Sequence, residues 1–478
     1  MVKKVISFLD RHLTRRGAIL VLVSLAAQLI ALGLFAHYAS ANKLDMFQLI
    51  GDENSYRVTA LNMLNARVFS YSKGAPYYPD TVRTPGYPLL LSVFYAVTRN
   101  WMAVTVLQTV LLAFTPFVLY LILKKINERY AFVAAMVFAL EPLRVLFSNV
   151  LMSDVYFTLV FLIGLLFFMQ WLEKDERKWH LVASGLVFGY STMVRPSALF
   201  LWAPLSLVIM WKYGRRGFKT ALWKVAVFAA SFFVIIFPWI LRNYFIFGVP
   251  SISVIGTYSL AHVNALWFDA EKRGITIPEM NERFNAMLPT LESDRSPSLT
   301  MEPILKKYFF DVVSSDPVGY AKYQIIKTIP FMITDGLRAP ATLMGIVPPS
   351  DSVPNISNIF MHRQFGELAA YFRSQPLVAM LHLFGTAFWL CAWILASVGL
   401  FSMVKQKPTR TLGILMILLF MYFVAIYHGP AGQGRYRFPL DGFLIFFSIL
   451  ALDRIIQPWR KPRIGHQSHQ EQPNGGSA

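Results

Sequence analysis

Two adjacent carboxylates, Asp52 and Glu53, stand directly before a segment whose apolar residues recur at helical spacing from Tyr56 onward. Asp52 is suited to the N-cap of that helix, where its carboxylate would accept bonds from free backbone amides. A catalytic interpretation is equally open, because a carboxylate that takes a proton from a hydroxyl nucleophile acts as a general base. Local sequence leaves both possibilities in place.

A second group of candidates begins at Arg83 and precedes an apolar stretch that is too short to span a bilayer. Thr84 suits the N-cap of a helix and Pro85 its first position. The backbone amides of Gly86 and Tyr87 would then be free, and an arginine beside such a helix end forms an anion site. The alternative is an interfacial helix whose arginine reaches toward the headgroups.

Asp154 follows Ser153 at the start of a long apolar run. It could cap that helix, orient a substrate, or share a divalent cation with Asp52 or Glu53 through oxygen ligands. The sequence contains no Cys/His cluster, no HExxH and no nucleotide-binding fingerprint. A divalent cation held by Asp52 and Asp154 is therefore the one metal site that we consider.

Arginines recur at the predicted outer ends of the apolar segments, against the usual bias of positive charge toward the cytoplasm. The planar guanidinium suits bidentate contacts with phosphate better than a lysine ammonium does. Several arginines on the same side therefore predict a cationic site at the depth of a lipid phosphate. These arginines are Arg144, Arg195, Arg242, Arg435 and Arg437.

The elements that must position these residues are membrane-spanning helices. Hydrophobic residues make up 55% of the 478 residues, and they form continuous stretches of a length that crosses the hydrocarbon core. We predict an all-α polytopic membrane protein with about 10–11 transmembrane helices. Ten spans are expected at 17–39, 101–123, 130–148, 155–172, 180–194, 196–211, 221–241, 378–404, 411–428 and 437–453.

The distribution of charge predicts the topology. The net charge of +19 is concentrated in the N-terminus, the short loops and the tail, which are therefore expected to be cytoplasmic, with no role in nucleic-acid binding. The first apolar run is too long for a cleaved signal peptide. The first large loop (40–100) and the second large loop (242–377) are then extracytoplasmic. We divide the chain into an N-terminal transmembrane module (1–241), the second large loop, C-terminal helices (378–453) and a disordered tail (454–478).

The motifs together resemble those of the GT-C glycosyltransferases. The similarity is greatest to the branch that contains dolichyl-phosphate-mannose protein mannosyltransferases and lipid A aminoarabinose transferases, and it covers residues 1–260 and the region near 435. The motifs that carry it are Asp52-Glu53-x-x-Tyr56, the run from Arg83 to Leu91, Ser153-Asp154, Val194-Arg195-Pro196, Pro238-Trp239-x-x-Arg242-Asn243 and Arg435-Tyr436-Arg437-Phe438-Pro439.

This resemblance implies a GT-C-like fold and transfer of a sugar, with inversion, from a polyprenyl-phosphate donor on the outer face of the membrane. The expected compartment is a bacterial inner membrane, because the sequence shows no eukaryotic retrieval signal. Asp52 would be the catalytic carboxylate with Glu53 beside it, and Asp154 the second acid. Arg83 would lie near the lipid phosphate. The aminoarabinose branch has a lysine and two prolines where this chain has Arg83-Thr84-Pro85, so the acceptor is not assigned.

The arginines Arg195, Arg242, Arg435 and Arg437 are expected to bind the departing phosphate. Tyr56 and Tyr87, with Tyr77 and Tyr78, are candidates to line the sugar or acceptor cleft, although tyrosines are common at membrane interfaces. Two other functions fit outer arginines: a transporter or flippase of lipid-linked sugars, and a lipid-linked glycan ligase or polymerase with its chemistry on the second large loop.

Overall fold

The chain folds into helices and connecting loops. The computed structural model describes residues 15–47, 52–173, 178–289, 297–334, 336–337 and 365–460. Over these ranges there is no β-strand, only an isolated antiparallel bridge between Ser70 and Pro79. The prediction of an all-α polytopic membrane protein is confirmed.

The N-terminal half contains eleven of the helices that we number, all within the described ranges. They are α1 (Arg15–Ala41), α2 (Glu53–Asn65), α3 (Gly86–Thr98), α4 (Trp101–Leu112), α5 (Thr115–Leu123), α6 (Glu128–Ala139), α7 (Pro142–Phe147), α8 (Ser153–Glu173), α9 (Lys178–Val194), α10 (Trp202–Tyr213) and α11 (Phe218–Phe247).

The remaining helices belong to the second large loop and the C-terminal region. They are α12 (Ile255–Tyr258), α13 (Leu266–Arg273), α14 (Ile277–Met287), α15 (Glu302–Ser315), α16 (Pro317–Ile333), α17 (Phe365–Ser374), α18 (Pro376–Lys405), α19 (Arg410–Ile426) and α20 (Phe438–Arg460). Short 3₁₀ turns at Pro196–Leu201 and Gly434–Arg437 lead into α10 and α20.

Six helical segments are long and apolar enough to cross a membrane, judged over the described residues by length and composition. They are Arg15–Ala41, Trp101–Leu123, Ser153–Glu173, Pro196–Arg216, Phe218–Phe247 and Pro376–Lys405. The predicted spans at 180–194, 411–428 and 437–453 are largely helical but do not meet that measure. The predicted number of about 10–11 is therefore not reached by this measure.

The predicted span 130–148 is wrong as a single helix. The chain breaks after α6, and Glu141 caps α7 by accepting hydrogen bonds from the backbone amides of Leu143 at 3.2 Å and Arg144 at 2.5 Å. Pro142 occupies the first helical position, which favours a new helix start over continuation of α6.

Helix α8 lies at the centre of the molecule. Most of its apolar residues are buried by neighbouring helices. Helix α9 packs between α8 and α11. Gly185 and Gly189 face the backbone of α11 so closely that a Cβ there would lie 2.7 Å and 2.4 Å from the carbonyl oxygens of Phe228 and Phe232. Small residues thus bring these helices together, as is typical of membrane interiors.

The first large loop is fixed by hydrogen bonds to itself and to the second large loop. The Asn62 side chain donates to the carbonyl oxygens of Ser70 and Ser72 at 2.8 and 2.9 Å. The loop clamp, which we define as residues 80–82 with 251–254, joins the two loops. In it, Val254 N donates to Thr81 O at 2.9 Å. This network fixes the position of the backbone that leads into Arg83.

Part of the second large loop folds into two consecutive helices, α15 and α16. Asp316 separates them, and its carboxylate accepts a hydrogen bond from the amide of Gly319 at 2.8 Å. On α16, Tyr323 and Phe331 are buried while Ile325 is exposed. The segment therefore presents one packed face and one open face.

The expected disordered tail is partly wrong. Helix α20 continues to Arg460, so residues 454–460 are helical. The rest of the predicted tail, 461–478, lies outside the described residues.

Candidate active site

Asp52 does not cap its helix. It stands at the N-cap position of α2, but its side chain makes no capping hydrogen bond. Its Oδ1 instead accepts a hydrogen bond from Arg83 Nη2 at 2.7 Å, and its Oδ2 lies 4.0 Å from Arg435 Nη2. The side chain is 45% exposed. The capping explanation is wrong, and the carboxylate is open to a substrate while it faces two guanidinium groups.

Asp154 is also engaged by an arginine. Its Oδ1 accepts a hydrogen bond from Arg195 Nη1 at 2.5 Å, and the carboxylate is only 2% exposed. Ser153 Oγ lies 3.4 Å from the same arginine nitrogen and 3.1 Å from the Tyr56 hydroxyl. The start of α8 is thereby linked to α2 and to the turn that follows α9.

Arg435 connects the two acids. Its Nη2 lies 4.0 Å from Asp52 Oδ2, and its Nε lies 4.0 Å from Asp154 Oδ1. Five side chains from four separate stretches of chain therefore form one continuous group. We call it the acid–arginine cluster, and its members are Asp52, Arg83, Asp154, Arg195 and Arg435.

Aromatic rings support each guanidinium of the cluster. Arg83 lies over the ring of Tyr56, with 4.7 Å from Cζ to the ring centroid, and Arg195 lies 4.9 Å over Tyr436. The Arg435 Cζ is 5.1 Å from the centroid of the same Tyr436 ring. Rings of this kind hold a cation by its face and leave its N–H edge available for an anion.

The arginines of the cluster remain charged. Burial alone would lower the pKa of Arg83, but Tyr56 and Asp52 raise it above its ordinary value. Burial also opposes the charge of Arg195 and Arg435, and Asp154 is the main group that raises the pKa of each above the ordinary value. Three protonated guanidinium groups thus face the two carboxylates at any physiological pH.

The predicted anion site at the start of α3 is wrong. Thr84 does not cap the helix; the N-cap is Pro85, which has no capping side chain. A Cβ on Gly86 would lie 2.7 Å from the carbonyl carbon and oxygen of Met193, so the end of α9 covers this helix start. The positive charge available to an anion therefore comes from arginine side chains.

Arg242 lies beside the cluster and not within it. Its Nη1 donates to the carbonyl oxygen of Asp80 at 3.1 Å and to the side-chain oxygen of Asn243 at 2.7 Å, and its Cζ lies 4.7 Å over the ring of Trp239. These contacts join α11 to the loop clamp. Arg242 consequently holds the segment that carries Arg83.

Arg437 and Arg144 are buried at other places. Arg437 forms an ion pair with Asp441 at 2.7 Å and donates to the carbonyl oxygens of Phe331 and Met332 at the end of α16. Arg144 donates to carbonyl oxygens at the end of α6. Arg437 was expected to bind the phosphate and Arg144 to belong to the outer cationic site, but the N–H groups of both arginines tie helices together.

Two other predicted site residues are buried beside the cluster. Glu53 is 1% exposed and Tyr87 is 0% exposed. The Tyr87 hydroxyl donates to Gln108 Oε1 at 2.6 Å, and its ring packs edge-on against Tyr56 with 4.9 Å between centroids. Tyr87 therefore supports Tyr56, which forms the floor under Arg83.

Sequence reasoning missed Asp80 and gave Tyr436 no role. Asp80 is buried; its Oδ1 accepts a hydrogen bond from the amide of Val82 at 2.7 Å, and burial raises its pKa while Arg83 opposes that rise. An acid three residues before a predicted phosphate-binding arginine was an available signal. Tyr436 stood in a quoted motif, but nothing in the sequence showed that two arginines would share its ring.

The residues considered for a divalent cation do not form a metal-binding set. Among the described residues no group of three or more His, Cys, Asp or Glu side chains could hold an ion. Asp52 is already engaged by arginine through both of its oxygens and Asp154 through Oδ1, and Arg435 lies between the two carboxylates. The donor set that Mg²⁺ or Ca²⁺ requires is thus incomplete here.

The comparison with protein families places part of this chain. Residues 82–241, which include Arg83, Asp154 and Arg195, match the family described as dolichyl-phosphate-mannose-protein mannosyltransferase. The match covers about a third of the 478 residues, so it is a similarity of this part of the chain.

Two solved structures of an Archaeoglobus fulgidus oligosaccharyltransferase are also similar. One is AglB in complex with an inhibitory peptide and a dolichol-phosphate, at 13% identity over 91% of this chain with a TM-score of 0.47. The other is tethered to an acceptor peptide containing the NVT sequon, at 12% identity over 91% of this chain with a TM-score of 0.40. This chain spans 50% of the length of each. No curated protein matches the sequence.

Proposed function

We propose that this protein transfers a sugar from a polyprenyl-phosphate donor to an acceptor hydroxyl at the extracytoplasmic surface of a bacterial inner membrane. The observation that carries the proposal is the acid–arginine cluster: Asp52, half exposed, lies 2.7 Å from Arg83 and 4.0 Å from Arg435. An acid beside several guanidinium groups is suited to deprotonate one substrate and to bind the phosphate of another.

The transfer is a single in-line displacement with inversion. The acceptor oxygen attacks the anomeric carbon, and its proton passes to Asp52 Oδ2, the carboxylate oxygen that does not bind Arg83. The bond between the anomeric carbon and the phosphate oxygen breaks on the opposite face, and the lipid phosphate leaves with the electron pair. Inversion requires the base and the leaving group to lie on opposite faces of the sugar.

Arg83, Arg195 and Arg435 would stabilise the charge that grows on the departing phosphate. A preorganised donor aimed at developing charge is typically worth about 3 kcal/mol in the transition state. The phosphate leaves without a proton donor, so no catalytic acid is required. Asp154 would act by holding Arg195, since its carboxylate is almost fully buried.

The distribution of charge supports the side of the membrane on which we place the active site. The first large loop contributes Asp52 and Arg83 to the cluster, and the loop clamp joins it to the second large loop, so the two loops and the cluster lie on the same side of the helices. The short loops on the opposite side contain Lys124, Lys125, Lys212 and Lys405 among other basic residues. Because cytoplasmic loops collect lysine and arginine, the active-site face is extracytoplasmic and the N-terminus is cytoplasmic.

The experiment that tests this function uses the purified protein in liposomes with a panel of radiolabelled polyprenyl-phosphate sugars. The Asp52→Asn variant should lose transfer by at least 100-fold while it remains folded. Asp45→Asn is the matched control, because Asp45 also pairs with an arginine in the same loop, Arg57, at 3.1 Å. A fully active Asp52→Asn variant would remove the assignment of the base.

The same assay separates the other functions. A flippase would move labelled lipid across the liposome membrane without forming a glycosylated product. A ligase or polymerase with chemistry on the second large loop would retain activity in Asp52→Asn. Either result would overturn the proposed transfer mechanism.

A further inference from the structure

The position between Asp52 and Asp154 already contains a cation that belongs to the protein. Arg435 lies 4.0 Å from one oxygen of each carboxylate, through Nη2 toward Asp52 and through Nε toward Asp154. Two carboxylates that face each other across such a gap are the kind of pair that a divalent cation bridges. Here the guanidinium of Arg435 lies where such a cation would lie.

We propose that Arg435 takes the place of a divalent cation in this glycosyltransferase, so that transfer needs no metal ion. This inference rests on the proposed function for the identity of the reaction. The guanidinium holds the two carboxylates apart on one side and offers its remaining N–H groups to the phosphate of the donor. A planar fork of donors binds phosphate without the Lewis acidity of a metal.

Charge balance favours the guanidinium. The cluster contains three arginines and two aspartates, which leave one net positive charge. A polyprenyl-phosphate sugar carries one negative charge on its phosphodiester, so the bound complex is neutral. A divalent ion in the same space would add two positive charges within a few ångströms of three guanidinium groups, where like charges repel strongly.

Arg435 is built into its position. Its Nη2 donates to the Tyr436 hydroxyl at 3.2 Å, and its Cζ lies 5.6 Å over the ring of Phe147. The turn that carries it is anchored by the next arginine, Arg437, through the Asp441 ion pair and the carbonyl oxygens at the end of α16. These contacts fix the Arg435 side chain between the two carboxylates.

Two buried polar atoms without hydrogen-bond partners support a role for Arg435 in substrate binding in addition to its structural contacts. Arg435 Nε and Asp154 Oδ2 are both buried, and neither has a hydrogen-bond partner among the described residues. A donor phosphate that enters the cluster would supply an acceptor for the arginine. The incomplete pairing is then a property of the protein without its substrate.

The test measures Mn²⁺ binding by electron paramagnetic resonance, which does not depend on turnover. Wild-type protein should bind no stoichiometric Mn²⁺, and EDTA should leave its transfer activity within twofold. Arg435→Ala should lose transfer by at least 100-fold and gain one Mn²⁺ site. That site should disappear in the double variant Arg435→Ala/Asp154→Asn. The control is Arg283→Ala, an exposed ion pair on α14.

Several results would overturn the inference. They are stoichiometric Mn²⁺ binding by the wild type, loss of its activity in EDTA with recovery in Mn²⁺ or Mg²⁺, or full activity of Arg435→Ala without metal. The wild-type measurements stand even if the alanine variant fails to fold. Failure of the proposed function would be seen separately, as an active Asp52→Asn variant.

Discussion

Arg195 and Asp154 meet at 2.5 Å, although one follows the end of α9 and the other stands in the first turn of α8. The contact joins two helix ends and also holds the guanidinium of Arg195 in the cluster. We therefore expect Asp154 to act as a positioning residue, through the arginine that it binds.

We expect Asp154→Asn to destabilise the fold and to weaken donor binding. Removing one partner of a buried pair leaves the other charge uncompensated and typically costs about 3–5 kcal/mol. The KM for the donor should rise about tenfold or more while the acceptor KM changes little. Thermal unfolding in detergent and steady-state kinetics measure the two effects.

The double variant Asp154→Asn/Arg195→Gln provides the control for that effect. It removes both charges, so it should recover part of the lost stability but none of the donor affinity. Independent, additive losses of stability from the two substitutions would show that the pair is not coupled.

Arg83→Ala should weaken the donor more than the acceptor. A hydrogen bond to a charged group contributes about 1.5–3 kcal/mol, which corresponds to roughly a 10- to 150-fold change in donor affinity. Arg57→Ala is the matched control, since Arg57 also pairs with an aspartate in the first large loop. The measurement is the KM for the donor at a fixed acceptor concentration. An equal increase in this KM in Arg83→Ala and Arg57→Ala would contradict a phosphate role for Arg83.

Gly86→Ala should damage the site by moving the start of α3. The added methyl would lie 2.7 Å from backbone atoms of Met193, which cannot move aside as a flexible side chain would. Overpacking of this kind typically costs about 1–3 kcal/mol. Gly74→Ala in the same loop meets nothing within 4 Å and should behave as wild type. Thermal unfolding and transfer activity compare them, and a neutral Gly86→Ala would show that α3 and α9 are not in contact.

Tyr87→Phe separates support from substrate contact. Loss of the hydroxyl leaves Gln108 Oε1 without its donor, which should cost about 1–3 kcal/mol of stability. Activity per folded molecule should remain near the wild-type value, because Tyr87 is buried under Tyr56. Tyr77→Phe, on an exposed ring, should change neither quantity. An increase in KM without loss of stability would return Tyr87 to the substrate cleft.

The sequence predicted the level along the helices at which the arginines lie better than it predicted the direction in which their side chains point. A position at the end of an apolar run predicts a residue at the membrane surface, and Arg83, Arg195 and Arg435 do come together in one cluster. Rotation about the helix axis is set by packing, which a single sequence does not contain. Arg437 therefore ended up beneath the cluster and Arg242 beside it, although both were expected to bind phosphate.

The break in the predicted span 130–148 has a related cause. Its hydropathy is that of one helix, but Glu141 and Pro142 together make a helix start inside it. An acid followed by a proline inside an apolar run was an available signal of this helix start. The contacts of the first large loop with residues 251–254 were also beyond prediction, because they join segments far apart in the chain.

The loop clamp has a consequence for exchanging parts of this chain. Ser253 Oγ donates to the carbonyl oxygen of Val82 at 2.7 Å, immediately before Arg83. Grafts of a foreign second large loop would displace Arg83 unless residues 251–254 are kept from the host. Recombination points placed after residue 254 and before Phe331, whose carbonyl oxygen accepts a hydrogen bond from Arg437, would preserve the acid–arginine cluster and exchange only the intervening part of the loop.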